Sequence, residues 1–237
     1  MIRKNTLVPF SIAVVLFGSV ACSQQEGEKK TEGGELEASS SVSASVVADS
    51  LKGAVQSLAD KRFAVRDEGN PLVTLETDFG KMTLELYRDV APAHADSFVA
   101  RTREGFYNGT IFHRVIDNFM IQGGDPQGNG TGGAEYFLKA EFNELPHQEG
   151  TLSMARSRDP NSASSQFFVC LARNRSTQSL DGQYTVFGQL IKGYDVLHDI
   201  GSVECMANPG NPREISKPKV DVKLIRAYIS DAEGNPL

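Results

Sequence analysis

The spacing of apolar residues changes repeatedly along the chain, and each change marks a segment of different character. From Leu7 to Val20 nearly every position is apolar, behind the basic pair Arg3 and Lys4 and ahead of the small residues Ser19, Val20 and Ala21. That run is too short for a membrane span and predicts an export signal over residues 1–21. Over residues 22–45 all periodicity is lost and Gln, Glu, Lys, Gly and Ser dominate. Such a composition buries too little apolar surface to order itself, so it reads as a flexible polar tether. Val47, Leu51, Ala54, Val55, Leu58 and Ala59 then recur at spacings of three and four, which predicts an amphipathic helix between Val46 and Phe63, within an extension over residues 46–70. It either packs on its own domain, frays on the tether or binds a partner.

Beyond residue 70 the period drops to two. Val73 and Leu75, then Leu84 and Leu86, alternate with polar residues on either side of Asp78-Phe79-Gly80-Lys81, which predicts two strands joined by a tight turn. A helix follows, with Pro92 in its first turn, Ala95, Phe98, Val99 and Thr102 on one face, and Gly105 placed for a left-handed C-cap. Further strands are expected at Ile111–Ile116, Phe119–Gln122, Thr151–Met154, Gln166–Leu171, Thr185–Gln189 and Val220–Ile229, with a short second helix at Val196–Ile200. Many short strands, two helices and a glycine-rich stretch from Gly123 to Gly133 point to a mainly β domain over 71–230, a closed antiparallel barrel capped by helices, with 231–237 as a tail.

Composition narrows the function. The 237 residues are 40% hydrophobic and 23% charged, enough to bury a sizeable core. The net charge is -6, and losing residues 1–21 would leave 22 basic against 30 acidic residues. With no basic stripe to offset this acidity, nucleic acid is not an expected partner. Cys22, Cys170 and Cys205 are too few and too scattered for a zinc site or a disulfide framework. Cys170, inside the apolar run Phe167–Leu171, reads as a small buried thiol, and whether it pairs with Cys205 stays open.

Familiar chemistry is then excluded motif by motif. Gly128-Asn-Gly130-Thr-Gly-Gly133 matches G-x-G-x-x-G, but it follows Gly-Asp-Pro-Gln instead of a hydrophobic strand and has no βα unit around it. His94, His113, His147 and His198 lack metal-site spacing, and no Gly-x-Ser-x-Gly elbow accompanies the serines, so neither metal nor cofactor is expected. Asp125, Glu141 and Asp181 read as carboxylates that cap turns. What remains is Arg114, set in the apolar stretch Phe112–Asp125, where strand alternation would put it beside Phe112 and Ile116 and would put Met120 with Gln122. A buried arginine ordinarily needs a carboxylate. The segment's own carboxylates, Asp117 and Asp125, fall an odd number of residues from Arg114 and so off its strand face, which leaves backbone carbonyls in the core as the alternative to a functional role.

The stretch Phe112–Asp125 resembles the signature of the cyclophilin family of peptidyl-prolyl cis-trans isomerases, and so do Ser165-Gln166-Phe167-Phe168-Val169-Cys170, Leu180–Gly188 and Ser153-Met154-Ala155, in the family's order. The resemblance covers nearly all of 71–230 and implies an eight-stranded closed barrel with two capping helices. It implies Arg114 as the catalytic residue, Phe119, Met120, Phe168 and Leu180 as walls of a proline pocket, and Gln122, Ala155 and Gln166 as contacts to the peptide backbone. Tyr184 stands where many members carry histidine. Ser179 stands where cyclosporin-sensitive members carry tryptophan, which argues against tight cyclosporin binding. Substrates implied are proline-containing unfolded or extended polypeptides, handled by a monomer without cofactor. A cyclophilin-fold chaperone or partner-binding module with little turnover is the alternative.

Ser19-Val20-Ala21-Cys22 also resembles the lipobox of bacterial lipoproteins, with Ser19 in place of the usual leucine. That implies lipidation at Cys22, contact with the membrane through the lipid anchor alone and a place on the periplasmic face. A soluble periplasmic or secreted product is the alternative.

Overall fold

The computed structural model of the protein describes residues 66–237. The expected export signal, Cys22, the tether and the 46–63 helix lie outside the described residues.

The chain alternates short strands with three helices: β1 (Leu72–Thr77), β2 (Gly80–Leu86), α1 (Pro92–Arg103), β3 (Thr110–Ile111), β4 (Arg114–Ile116), β5 (Met120–Gly123), β6 (Thr151–Met154), β7 (Phe167–Cys170), α2 (Arg175–Gln178), β8 (Val186–Lys192), α3 (Tyr194–Gly201), β9 (Cys205–Asn208), β10 (Asn211–Pro218) and β11 (Lys223–Ile229). Nine strands form one antiparallel sheet in the order β3-β11-β1-β2-β8-β6-β7-β5-β4, and β9 pairs with β10 in a separate hairpin.

This corrects the expected closed eight-stranded barrel. The sheet curls, but among the described residues no rung joins its two ends. Those ends are β3 and β4, two pieces of one extended run that breaks at Phe112-His113. The break also corrects the expected alternation. Phe112 is 1% exposed and lies edge-on to Phe167 in the main core, so it is not a neighbour of Arg114 on the same face.

Period-two patterning explains the core. Leu75 lies opposite Ala227 on one side and Met82 on the other, and all three are buried, as are Val73, Leu84 and Leu86. Helix α1 closes one mouth. Phe98 packs within 4.8 Å of the Tyr107 ring, 5.2 Å of Phe167 and 5.6 Å of Phe187. The helix has no side-chain N-cap of its own. Glu141 from a distant loop accepts from the Ala93 and His94 amides at 3.1 and 3.0 Å and from His94 Nδ1 at 2.6 Å, placing a carboxylate at the positive end of the helix. Helix α3 buries Val196, Leu197 and Ile200 at the other mouth. Residues 231–237 turn back through the Leu237 amide, which donates to the Ile229 carbonyl at 3.0 Å.

Candidate active site

Three adjacent strands build the site. Arg114 of β4 lies opposite Gln122 of β5, which lies opposite Phe168 of β7; two residues along, Ile116, Met120 and Cys170 line up in the same way. Side chains two apart share a face, so this register puts both rows on one surface of the sheet. There Met120, Phe168 and Cys170 form a buried apolar cluster distinct from the main core, with Ile116, Phe119, Ala155, Leu180 and Tyr184 half-buried around it. Asn118, at φ 55°, makes the turn that brings Phe119 back over β5. Phe168 stacks on the His147 ring at 5.9 Å and meets the Tyr184 ring edge-on at 5.9 Å. The result is an apolar cup with rigid aromatic walls.

One polar chain borders the cup. Arg114 Nη1 donates to Gln122 Oε1 at 3.2 Å and lies 4.0 Å from Met120 Sδ; Gln122 Nε2 donates to Gln166 Oε1 at 2.9 Å; Gln166 Nε2 donates to the Gly130 and Gly132 carbonyls at 3.1 and 2.7 Å. Because arginine can only donate, the orientation of both amides is fixed in turn. All nine residues expected to catalyse or bind substrate, Arg114, Phe119, Met120, Gln122, Ala155, Gln166, Phe168, Leu180 and Tyr184, therefore meet in the cup and its polar border. Ser179 sits exposed at the C-terminal end of α2, its hydroxyl donating to the Ser176 carbonyl at 2.6 Å.

The carboxylate partner of Arg114 comes from 100 residues away. Glu214 of β10 receives Nε at 2.7 Å and Nη2 at 2.8 Å in a two-pronged pair. Hydrogen bonding from Arg114 holds the Glu214 carboxyl below its usual range despite partial burial. No signal near Arg114 in the sequence could have named this partner, because Glu214 lies in a polar segment without apolar periodicity.

The glycine-rich stretch has a structural cause. Asp125 is fully buried, and its carboxylate accepts from the amides of Gln127, Asn129 and Gly130 at 2.8, 3.1 and 2.6 Å. A Cβ at Gly132 would lie 2.1 Å from Asp125 Oδ1, and one at Gly124 would lie 2.4 Å from the Ser165 carbonyl. The glycines let the backbone wrap a carboxylate, so this loop is not a dinucleotide cradle. Its far side, with Gln122, Ala155, Arg156, Gln166 and Phe137, lines a groove of about 170 Å³ beside the cup. Arg156, absent from the sequence expectations, lies 4.5 Å from the centre of the Tyr184 ring and donates to the Gln183 carbonyl at 2.9 Å.

Two buried histidines back the site, and burial lowers the pKa of each. His147, fully buried, contacts Asp181 through Nδ1 at 3.1 Å and Ser153 through Nε2 at 2.9 Å, and burial lowers its pKa. Burial alone would raise Asp181, but hydrogen bonds from His147 and Arg173 outweigh it and bring that carboxyl to about 2. His113, next to Arg114, is pushed down to about 4, first by burial and then against the opposing pull of Asp125 by the Arg114 charge. Asp125, Glu141 and Asp181 all accept backbone amides, as their reading as capping groups anticipates. Cys170 and Cys205 are free thiols, and burial raises the pKa of both.

Comparison with known proteins places this site in a family. A family model described as "Cyclophilin type peptidyl-prolyl cis-trans isomerase/CLD" matches residues 72–228. Human peptidyl-prolyl cis-trans isomerase-like 1 is 43% identical over 166 residues, covering 68% of this chain and 93% of the relative. A peptidyl-prolyl cis-trans isomerase of Acinetobacter baylyi is 41% identical over 164 residues, 68% of this chain and 86% of the relative. A crystal structure of a Cryptosporidium parvum cyclophilin type peptidyl-prolyl cis-trans isomerase, in the presence of the dipeptide Ala-Pro, superposes with a TM-score of 0.60 at 33% identity, covering 68% of this chain and 99% of that one. With its curled antiparallel sheet, this chain belongs to the cyclophilin family and is a cyclophilin-type peptidyl-prolyl cis-trans isomerase.

Proposed function

We propose that the protein isomerises X-Pro bonds of unfolded or extended polypeptides in the apolar cup, with Arg114 stabilising the twisted amide, and that it does so for exported or envelope proteins. The barrier to be lowered is about 18–20 kcal/mol, because rotation about the C–N bond costs the amide its resonance. In the twisted state the prolyl nitrogen becomes pyramidal and regains a lone pair. A guanidinium beside it donates a hydrogen bond that is weaker in either planar ground state, so the interaction lowers the barrier instead of only tightening binding. The observation that carries the reading is the position of Arg114, whose Nη1 lies 4.0 Å from Met120 Sδ at the rim of the cup. Phe119, Met120, Phe168 and Leu180 hold the pyrrolidine ring, Tyr184 closes the aromatic wall, and Gln122, Ala155 and Gln166 hold the flanking peptide, so that one side of the bond rotates while the other stays fixed. Reading one ring only, the site accepts many sequences. The Ala-Pro dipeptide named for the Cryptosporidium relative supports a proline-containing ligand.

Export rests on the sequence pattern of residues 1–22. Lipidation at Cys22 would anchor the isomerase by its tether at the periplasmic face, where client chains emerge. A protease-coupled proline isomerisation assay tests the activity: the protein accelerates conversion of an Ala-Pro peptide, and Arg114→Ala lowers kcat/KM at least ~100-fold, about 2.7 kcal/mol of barrier. Binding of proline peptides without acceleration would instead favour a chaperone-like binding module.

A further inference from the structure

We infer that Glu214, carried by the β9–β10 hairpin, is a positioning residue for the isomerase: it clamps the Arg114 guanidinium in the orientation needed at the rim of the cup. The inference rests on the proposed role of Arg114 and adds a second part to it.

Arginine has long, flexible geometry, and the apolar cup offers little to restrain it. Gln122 and the Met120 sulfur touch only Nη1. Glu214 takes the other edge, Nε and Nη2 together, and a two-pronged pair between planar groups fixes the plane of the guanidinium as well as its place. The pair is largely sheltered, with side-chain exposures of 21% for Arg114 and 19% for Glu214. Held on two edges, Arg114 keeps the second N–H of Nη2 for a substrate, with the Nη1 N–H that faces the Met120 sulfur only weakly engaged, and the group need not be ordered at each turnover.

Glu214 is itself held. Ser216, fully buried, donates to Glu214 Oε1 at 2.6 Å, and Asn208 Nδ2 of β9 donates to Ser216 Oγ at 3.1 Å. The hairpin packs on β4, and the Cys205 thiol lies 3.7 Å from the Val115 carbonyl. The polar chain that starts at the Gly130 and Gly132 carbonyls and passes through Gln166, Gln122 and Arg114 therefore continues through Glu214 and Ser216 to Asn208, from the glycine-rich loop across the site into the hairpin. Among the described residues the hairpin pairs with no other strand, and its packing against β4 together with this carboxylate links it directly to the site.

The opposite role is physically available: a carboxylate that occupies two of the three guanidinium nitrogens could act as a brake, and the experiment decides between them. Measured on the full-length protein by exchange NMR with an Ala-Pro peptide, Glu214→Ala lowers kcat about tenfold with KM changed less than threefold, and Glu214→Gln, which keeps the length and one acceptor, falls between. The Arg114 Nε–H resonance, sharp in the unaltered protein, broadens or disappears in Glu214→Ala. In an Arg114→Ala background the Glu214→Ala change has no further effect. Unchanged or faster turnover in both Glu214 variants overturns the inference, as does an equal loss with Arg114 absent, which would mark a purely structural role. If Arg114→Ala alone leaves activity intact, the role of Arg114 itself fails, whatever Glu214 does.

Discussion

Acid should weaken this fold through one particular side chain, His113. The imidazole is 6% exposed, and among the described residues neither ring nitrogen has a hydrogen-bond partner. Its pKa falls from 6.5 to about 4, mainly through burial. Between those values the unfolded chain binds a proton that the folded chain refuses, so stability is full above pH 6.5 and is lost as pH falls toward 4. Titration at about 4 in place of 6.5 corresponds to about 3 kcal/mol lost by pH 4, a large share of the 5–15 kcal/mol typical of a folded domain. His94 and His147, whose pKa values are also lowered, act in the same direction. The isolating variant is His113→Phe. It replaces an unpartnered buried polar ring with an apolar one of similar shape, so stability at pH 7 should change by less than about 1 kcal/mol. Urea unfolding at a series of pH values from 7 to 4 should then show an acid loss smaller by about 3 kcal/mol than in the unaltered protein. The same acid loss in both proteins, or an NMR titration midpoint for His113 near 6.5, would refute the reasoning.

Phe168→Ala should cost about 3 kcal/mol, the low end for a buried phenylalanine because the cup is open on one side, and should weaken binding of Ala-Pro peptides; NMR titration checks it, and unchanged affinity in the folded variant would move the proline elsewhere. Cys22→Ser should abolish incorporation of a clickable fatty acid in a bacterial host and release the protein to the soluble fraction; an unlabelled, soluble unaltered protein would remove the anchor and leave the isomerase reading intact.

Sequence patterning carried most of the fold because most of the fold is governed by period. Thr151–Met154 was delimited to the residue, and the α1 start at Pro92 and its glycine stop at Gly105 follow directly from proline's fixed φ and glycine's access to positive φ, here +70°. The elements that escaped are those without period. Helix α2 is four residues long and is held by the Asn174 capping box, not by an apolar face. The β9–β10 hairpin is largely exposed, carries Pro212 and Pro218, and shifts register between Asn211 and Ile215, so no alternation marks it. The break at Phe112-His113 is equally silent in the sequence, because every residue from Ile111 to Ile116 except His113 and Arg114 suits a continuous strand. The site was legible where its residues are local to β4, β5 and β7. It was not legible where a partner arrives across the fold, as Glu214 does for Arg114, His147 for Phe168 and Arg156 for Tyr184.

The central claim is that Arg114 acts on the rotating bond and not on binding. Exchange spectroscopy on a saturating Ala-Pro peptide measures the cis–trans rate on the enzyme separately from affinity. Arg114→Lys keeps the charge but loses the planar fork, and the expected result is an on-enzyme rate lower by at least ~100-fold with peptide Kd within about threefold. An on-enzyme rate equal to that of the unaltered protein, or a loss confined to Kd, would contradict it.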